Sequence, residues 1–222
     1  MIELVAFLGN CGHEYAATRH NVAWLFADSL AVASSLSWQK KFHGEFATVD
    51  RAQCARGTEK HALPDGADYS GVLSAKLYFL KPHTYMNASG ESIGEAAQFF
   101  KIAPAHILVV HDELELPFGF ISLKWAGGLG GHNGLRSTKA ALGTADFWRL
   151  RFGIGRPPHN DIAGYVLAAF TGDERMALSR IFTPGGDFFS LLCRHSRPER
   201  LLPEWSKKNL LTVCSGKQDK SS

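Results

Sequence analysis

Side chains able to activate water follow three short apolar runs of this chain. Asn10 and His20 come after the first run, Asn87 after the second, and Asp112 after the third. An imidazole can accept a proton from water, and a carboxylate bonded to one ring nitrogen leaves the other nitrogen free to do so. We therefore predict a hydrolytic site in which His20 is the general base and Asp112 holds its ring.

Several of these residues also have other interpretations. His20 could simply begin the amphipathic helix that follows it, and Asn87 could cap the N-terminus of another helix. Cys11 could be a nucleophile that His20 serves as base. Residues 111–113 (His-Asp-Glu) could bind a metal, but successive residues of a strand point to opposite faces and chelate poorly. Attack by an activated water is the chemistry that the sequence favours.

Other hydrolytic and nucleotide-binding motifs are missing from the sequence. It contains no G-x-S-x-G, no H-E-x-x-H and no paired-cysteine pattern, which argues against a serine hydrolase and against common zinc sites. Residues 127–131 are rich in glycine but lack the Lys-Ser/Thr of a triphosphate-binding loop. Glycines before Asn133, which opens a helix, would still let backbone N–H groups approach an anion or an oxyanion.

The elements that must position these residues alternate between strands and helices. The apolar runs at residues 4–8, 77–80 and 107–110 have the length of strands that are buried on both faces. Two sets of residues between them have helical spacing: Val22, Leu25, Phe26, Ala33 and Leu36, and Ile93, Ala96, Ala97 and Phe100. The pattern predicts an α/β fold, a three-layer α/β/α sandwich with a mixed, largely parallel sheet in a single domain. Ligands of such folds bind beyond the carboxyl ends of the strands.

We expect one domain over residues 1–206, because a chain of 222 residues supplies one sizeable core. Within it, residues 48–74 are polar without a sustained period and predict an extended surface loop or hairpin. Thr171 and Glu174 have the spacing of a capping box, which opens a helix that we expect to end at Pro184. Residues 207–222 are interpreted as a polar C-terminal tail.

Composition and cysteine content favour a cytoplasmic protein. No apolar run approaches the roughly 20 residues that span a bilayer, and the N-terminal segment lacks the pattern of a signal peptide. The 4 cysteines are widely scattered and form no C-x-x-C pair, which fits a reducing compartment. We therefore expect no membrane partner.

Basic side chains are concentrated between Pro117 and Arg156, although the net charge of the chain is only +3. This stretch contains one acid, Asp146, and a larger number of basic residues: Lys124, Arg136, Lys139, Arg149, Arg151 and Arg156. A local excess of positive charge can hold a phosphate backbone. A solvated surface without a partner would have the same composition, so the charges alone leave both interpretations open.

Taken together, the motifs resemble those of the bacterial, monomeric type of peptidyl-tRNA hydrolase. The matching blocks are LGN at 8–10, TRHN at 18–21, KPHTYMNASG at 81–90, HDELELP at 111–117, GGHNGLRS at 130–137 and RLRFGIGRP at 149–157. They occur in the order of the family and cover roughly residues 2–190. The resemblance implies an enzyme that cuts the ester bond of peptidyl-tRNA and so recycles tRNA from stalled translation.

The resemblance also implies roles for the matching residues. His20 would be the base, Asp112 would hold and polarise it, and Asn10 would help to discriminate peptidyl from free aminoacyl ends. Substrate and tRNA contacts would come from Tyr15, Tyr85, Asn87, Asn133, Lys124 and Arg151. The last two would contact tRNA phosphate, and Asn133 would also help to orient the water. The family implies no metal, no organic cofactor and no DNA partner, and we expect a monomer.

The chain departs from the family at three places. Cys11 stands where proline is usual, residues 48–74 are longer than usual, and residues 194–222 extend past the usual end. Two other functions stay open at this point. One is a catalytically silent RNA-binding relative, and the other is a hydrolase of small esters or amides.

Overall fold

Eight strands make one sheet in the computed structural model, which describes residues 1–55, 76–157 and 160–215. The strands are β1 (Leu4–Phe7), β2 (Gln39–Lys41), β3 (Gly44–Val49), β4 (Leu77–Pro82), β5 (Ile107–Glu113), β6 (Phe120–Trp125), β7 (Trp148–Gly153) and β8 (Lys208–Asn209). Their order across the sheet is β2-β3-β4-β1-β5-β7-β6-β8. β1, which is formed by the first apolar run of the sequence, therefore lies in the middle of the sheet.

The centre of the sheet is parallel and its margins are antiparallel. β4, β1, β5 and β7 pair in parallel, whereas β3 and β6 run against their neighbours. β2 and β8 point the same way as the central strands, because each is antiparallel to a strand that opposes them. The prediction of a mixed, largely parallel sheet is confirmed.

Helices cover both faces of this sheet. They are α1 (Val22–Ser29), α2 (Ser89–Phe100), α3 (Asn133–Leu142), α4 (Ile162–Leu167), α5 (Gly172–Arg194), α6 (Leu202–Trp205) and α7 (Leu210–Ser215). Within the described residues, none of them combines the length and the apolar character needed to cross a membrane.

Alternate side chains of β1 enter two separate cores, which makes the fold three-layered. Val5 and Phe7 pack with residues of α1 and α5, whereas Leu4 and Ala6 pack with residues of α2 and α3. All four β1 side chains are fully buried, as expected for a strand that has helices on both sides. The predicted α/β/α sandwich is confirmed in this respect too.

The prediction that α5 ends at Pro184 is wrong. The Thr171–Glu174 capping box begins this helix as expected, but the helix continues through Pro184 to Arg194. Its apolar stripe is buried on both sides of the proline, at Leu178 and Ile181 before it and at Phe188, Phe189 and Leu192 after it. Burying each large side chain contributes about 1.5–3 kcal/mol, which outweighs the roughly 3 kcal/mol cost of an internal proline.

Three other expected boundaries differ from the structure. α1 ends at Ser29, so the prediction that its apolar face continues to Ala33 and Leu36 is wrong. Residues 48 and 49 close β3, and residues 53–55 form a short 3₁₀ turn, while the rest of the expected loop, from residue 56, lies outside the described residues. Beyond the expected boundary at residue 206, β8 pairs with β6 and Leu210 is fully buried, so the packed chain continues past that point.

Candidate active site

A cavity of about 490 Å³ opens at the edge of the sheet where the parallel strands end. Six of the residues proposed from the sequence line it: Asn10, His20, Tyr85, Asn87, Asp112 and Asn133. β1 leads to Asn10, β4 leads to Tyr85 and Asn87, and Asp112 is the last residue but one of β5. The strand order brings these ends together because β4, β1 and β5 are neighbours.

His20 and Asp112 are in direct contact in this cavity. His20 Nδ1 lies 2.8 Å from Asp112 Oδ1, although the two residues are 92 positions apart in sequence. Both are buried, His20 to 9% exposure and Asp112 to 2%. The distance is short for a nitrogen–oxygen pair, as expected when the acceptor is ionised.

The segment that carries His20 is fixed by its neighbour Arg19. The Arg19 guanidinium donates to the carbonyls of Ala168 and Ala169 just beyond α4 and pairs with Glu174 at 2.7 Å in the first turn of α5. It also lies over the ring of Tyr165, with 4.5 Å from the guanidinium carbon to the ring centroid. Arg19 therefore ties the His20 turn to two helices.

A second imidazole binds the same carboxylate oxygen. His132 Nε2 lies 3.0 Å from Asp112 Oδ1, and His132 Nδ1 faces the backbone N–H groups of Gly134 at 3.1 Å and Leu135 at 3.4 Å. Since Nδ1 accepts from these N–H groups, the ring proton sits on Nε2 and is donated to Asp112. His132 is thus fixed in one tautomer by the first turn of α3.

The shared carboxylate fixes the tautomer of His20 as well. An ionised carboxylate only accepts hydrogen bonds, so the contact requires a proton on His20 Nδ1. His20 Nε2 is then the unprotonated nitrogen of the neutral ring. Burial by itself raises the pKa of Asp112, but the charges of His20 and His132 and their hydrogen bonds hold that pKa well below its usual value. Asp112 therefore stays ionised.

A third histidine, His111, is neutral and packs against the ring of His132, with 4.9 Å between the ring centroids. Burial, followed by the charge of His132, holds the pKa of His111 well below its usual value. Its Nδ1 donates to the carbonyl of Asp112 at 2.6 Å, and its Nε2 has no partner among the described residues. A neutral ring adds no charge that would compete with His20 for Asp112.

Asn10 is held in place by a second asparagine. The backbone N–H of Asn10 donates to Asn21 Oδ1 at 2.8 Å, and Asn21 Nδ2 donates back to the Asn10 carbonyl at 2.9 Å. The Asn10 side-chain oxygen accepts from the backbone N–H of Met86 at 2.8 Å. With its oxygen occupied in this way, the side-chain NH₂ group of Asn10 is the part left for a ligand.

Asn87 and Asn133 are more exposed and lie on the rim of the cavity. Asn87 does not cap a helix; it sits inside the 3₁₀ turn Met86–Ala88. The first turn of α3 reaches this place because it starts with a close approach: a Cβ at Gly134 would lie 2.5 Å from the sulfur of Met86. The side chain of Tyr85 is 60% exposed beside them.

One wall of the cavity is apolar and comes from α4. Its residues Ile162, Val166 and Leu167 line the cavity, and Leu129 lines it as well. Asp161 caps α4 by accepting from the backbone N–H of Gly164 at 2.8 Å. The cavity therefore combines a polar floor with an apolar side.

Lys124 and Arg151 lie outside the cavity, on an adjoining face of the sheet. In the register of β6 and β7, Ser122 pairs with Arg151, and Lys124 pairs with Arg149, so these side chains point to the same side. Arg151 lies 3.3 Å from the carboxylate of Glu113, which lines the cavity. Burial, then the charges of Arg151 and Arg149, lowers the pKa of Lys124, which shows that the positive charges are crowded.

Of the residues proposed from the sequence, Tyr15 is the one that belongs neither to the cavity lining nor to the basic residues of β6 and β7. It ends the 3₁₀ turn His13–Tyr15 and does not line the cavity.

The side chains that could hold a metal are the same ones that form the hydrogen-bonded triad. One ligand atom each of His20, Asp112 and His132 lies within 4.8 Å of the others, and imidazole and carboxylate suit several divalent metals. Each histidine nitrogen that faces Asp112 is already a hydrogen-bond donor to it. Metal binding at these atoms would replace both hydrogen bonds.

Sequence reasoning missed three positioning residues: Arg19, Asn21 and His132. Arg19 and Asn21 flank His20, so proximity to the base was the available signal. His132 carried a weaker signal, as the polar residue between the glycine-rich stretch and α3.

Comparison with known proteins points to one family. The family model described as peptidyl-tRNA hydrolase matches residues 4–209. The peptidyl-tRNA hydrolase of Treponema pallidum (strain Nichols) is 46% identical over 220 residues, covering 96% of this chain and 98% of that protein. The one from Desulfitobacterium hafniense (strain Y51) is 46% identical over 185 residues, covering 83% and 89%.

A solved structure is similar as well. The crystal structure of peptidyl-tRNA hydrolase from Acinetobacter baumannii superposes with a TM-score of 0.74 at 31% identity, covering 92% of this chain and 94% of that one.

We predict that the carboxyl group of Asp112 does not titrate in its ordinary range. Its pKa in the folded protein lies below the unfolded value of about 3.9, so the ionised form stabilises the fold above about pH 4. This stabilisation is lost only as the pH falls through the folded pKa. Carbon-13 NMR of the carboxyl carbon should therefore show no protonation of Asp112 between about pH 7 and pH 3.

A short peptide that carries one free aspartate serves as the reference for this titration, with a carboxyl pKa of about 3.9. If the carboxyl group of Asp112 took up its proton in the same pH range as this peptide, the two imidazoles would not be holding its charge.

Proposed function

The chain belongs to the peptidyl-tRNA hydrolase family, and we propose that it cleaves the ester of peptidyl-tRNA with a water molecule that His20 activates. The observation that carries this mechanism is the contact of Asp112 with both His20 and His132. It leaves His20 Nε2 as a base that lines a cavity with amide groups and an apolar wall. The activity itself is that of the family.

In the proposed reaction, the water oxygen attacks the ester carbonyl carbon while one of its protons passes to His20 Nε2. The carbonyl becomes an oxyanion, and His20 becomes a cation whose charge the ionised Asp112 stabilises. When the oxyanion collapses, the bond to the ribose oxygen breaks and that oxygen takes the proton from His20. The products are a peptide with a free carboxylic acid and a tRNA with a free hydroxyl, and His20 is neutral again.

The side-chain amides around His20 are suited to hydrogen-bond the polar groups of the substrate next to the ester. The NH₂ group of Asn10 is free to donate, since the side-chain oxygen is held by Met86. We assign to Asn10 the distinction between peptidyl and aminoacyl ends, and to Asn87 and Asn133 the binding of the ester and the orientation of the water. The apolar wall from α4 provides a surface for side chains of the peptide. Tyr85 and Tyr15 are proposed to contact the acyl and tRNA ends.

The basic face beside the cavity fits the phosphates of tRNA. Lys124, Arg149 and Arg151 point to one side of β6 and β7, and Glu113 is the acid that pairs with Arg151. Arg149 donates to the carbonyls of Gly127 and Gly128, which leaves Lys124 and Arg151 as the proposed phosphate contacts. A bound anion would relieve the repulsion between these charges.

We also propose that the enzyme acts as a monomer in the cytoplasm, without a DNA or membrane partner. The substrate arises in translation, and Cys11, Cys54 and Cys193 are free thiols. Burial raises the pKa of Cys54 to about 11, which keeps that thiol protonated and unreactive. The catalytically silent alternative is not supported by the family and its relatives.

We expect His20→Ala to lower the rate of peptidyl-tRNA hydrolysis by about 10²–10⁴-fold, which is the usual contribution of a positioned general base. The measurement is kcat for release of tRNA from an N-acetyl-aminoacyl-tRNA. Affinity for deacylated tRNA should stay the same, because the phosphate contacts are elsewhere.

His106→Ala is the matched control for this variant. His106 precedes β5 at the opposite end of the strand and pairs with Glu3 at 2.6 Å. A rate near that of the parent is expected for it. If His20→Ala retained the parent rate, another group would have to be the base.

Lys124→Ala and Arg151→Ala should weaken binding of full-length substrate more than binding of a short acyl-nucleotide, since only the former carries the phosphates of the tRNA stem. Each change should also reduce the dependence of log K on log salt by about one. The measurement is KM for both substrates over a range of salt concentrations.

Lys40→Ala provides the control, because Lys40 is exposed on β2 at the far edge of the sheet. Lys40→Ala should change the KM of neither substrate. Equal losses of affinity for both substrates in the Lys124 and Arg151 variants would contradict a phosphate-binding role and would favour a hydrolase of small esters.

A further inference from the structure

We propose that the C-terminal segment Ser206–Asn209 is part of the tRNA-binding surface and that Lys207 contacts a phosphate there. This inference rests on the proposed function, because it extends the basic face of β6 and β7 by one more strand. It concerns a segment that stands at the very end of the family match, which stops at residue 209, and that the sequence predicts to be a polar tail from residue 207.

A hydrogen-bonded link joins this segment to Arg151. Arg151 Nη2 donates to the hydroxyl of Ser122 at 2.7 Å, and the same hydroxyl donates to the backbone carbonyl of Ser206. Ser122 is fully buried between them. The side chain of Ser122 thus connects Arg151, a proposed phosphate contact, with Ser206, the residue before Lys207.

Lys207 points to the same side of the sheet as Lys124. Its Nζ lies 5.6 Å from the centroid of the Phe120 ring, within the range of a cation–π contact. Phe120, Ser122 and Lys124 alternate along β6 and therefore share one face. Lys207 is exposed there, and no carboxylate of the described residues pairs with it.

The neighbouring Lys208 differs from Lys207 in its orientation and in having an acid partner. It pairs with Ile121 in the register of β6 and β8, and Ile121 belongs to the core on the opposite side of the sheet. Its Nζ is bonded to Glu204 at 3.0 Å and lies over the ring of Trp205. The two adjacent lysines therefore have equal charge but opposite orientation and different partners.

The segment has a fixed position from which to present this charge. Leu210, directly after β8, is fully buried in the core, and its backbone N–H donates to the Gly119 carbonyl at 2.9 Å. Lys207 is thus an exposed cation on the same face of the sheet as Lys124, and no acid of the described residues pairs with it. A polyanion is the partner whose charge fits such a surface.

The test is the salt dependence of binding to deacylated tRNA, measured for the full chain and for four variants: Lys207→Ala, Lys207→Arg, Lys208→Ala and Lys124→Ala. Lys207→Ala should raise Kd by about 2–5-fold, as expected for a solvent-exposed charge contact. It should also lower the salt slope by about one. Lys207→Arg should keep the parent slope, and Lys208→Ala should resemble the parent.

The outcomes separate this inference from the function on which it rests. If Lys124→Ala lowers the slope but Lys207→Ala behaves like Lys208→Ala, the C-terminal segment does not contact tRNA and the inference is overturned alone. If Lys124→Ala leaves the slope unchanged, the basic face itself is wrong and the inference fails with it. Far-ultraviolet circular dichroism and urea unfolding of each variant will show that a loss of affinity does not come from a loss of folding.

Discussion

One buried carboxylate, Asp112, accepts hydrogen bonds from His20 and from His132, and the arrangement of the site depends on this shared acceptor. The two N–H groups and the positive charge that either ring can carry keep Asp112 ionised despite its burial, which by itself would favour the neutral acid. The ionised acceptor in turn fixes one nitrogen of each ring. Because His132 is also held by the first turn of α3, Asp112 is oriented from one side and orients His20 on the other.

The fold serves this contact through the order of its strands and through close packing near their ends. β5 carries Asp112 into the space beyond β1 and β4, where Asn10 and Asn87 lie. Arg19 anchors the His20 turn to the ends of α4 and α5. β7 and the antiparallel strand β6 beside it carry Arg151 and Lys124 on a face next to the cavity. In the proposed mechanism, catalysis and binding of the tRNA phosphates therefore belong to different parts of one sheet.

The alternation of apolar runs with segments of helical spacing was enough to predict the α/β fold, and the residue types that follow the strands were enough to propose His20 and Asp112. They were not enough for His132, because its contact depends on how closely α3 approaches Met86 at Gly134, a distance between segments far apart in the chain. The same limitation explains Pro184, whose local preference is outweighed by buried phenylalanines on the following turns. It also explains β8, a strand of two residues that has no apolar pattern to reveal it.

Neutron diffraction from crystals of the protein tests the central claim most directly, because it locates the exchangeable protons of the site. At about pH 8.5, two units above the reference imidazole pKa of about 6.5, we predict a deuteron on His20 Nδ1 and another on His132 Nε2. We predict none on His20 Nε2 or on either oxygen of Asp112. A deuteron on His20 Nε2 with a bare Nδ1, or one on Asp112, would contradict the account, since His20 would then have no free nitrogen facing the cavity or no ionised partner to hold it.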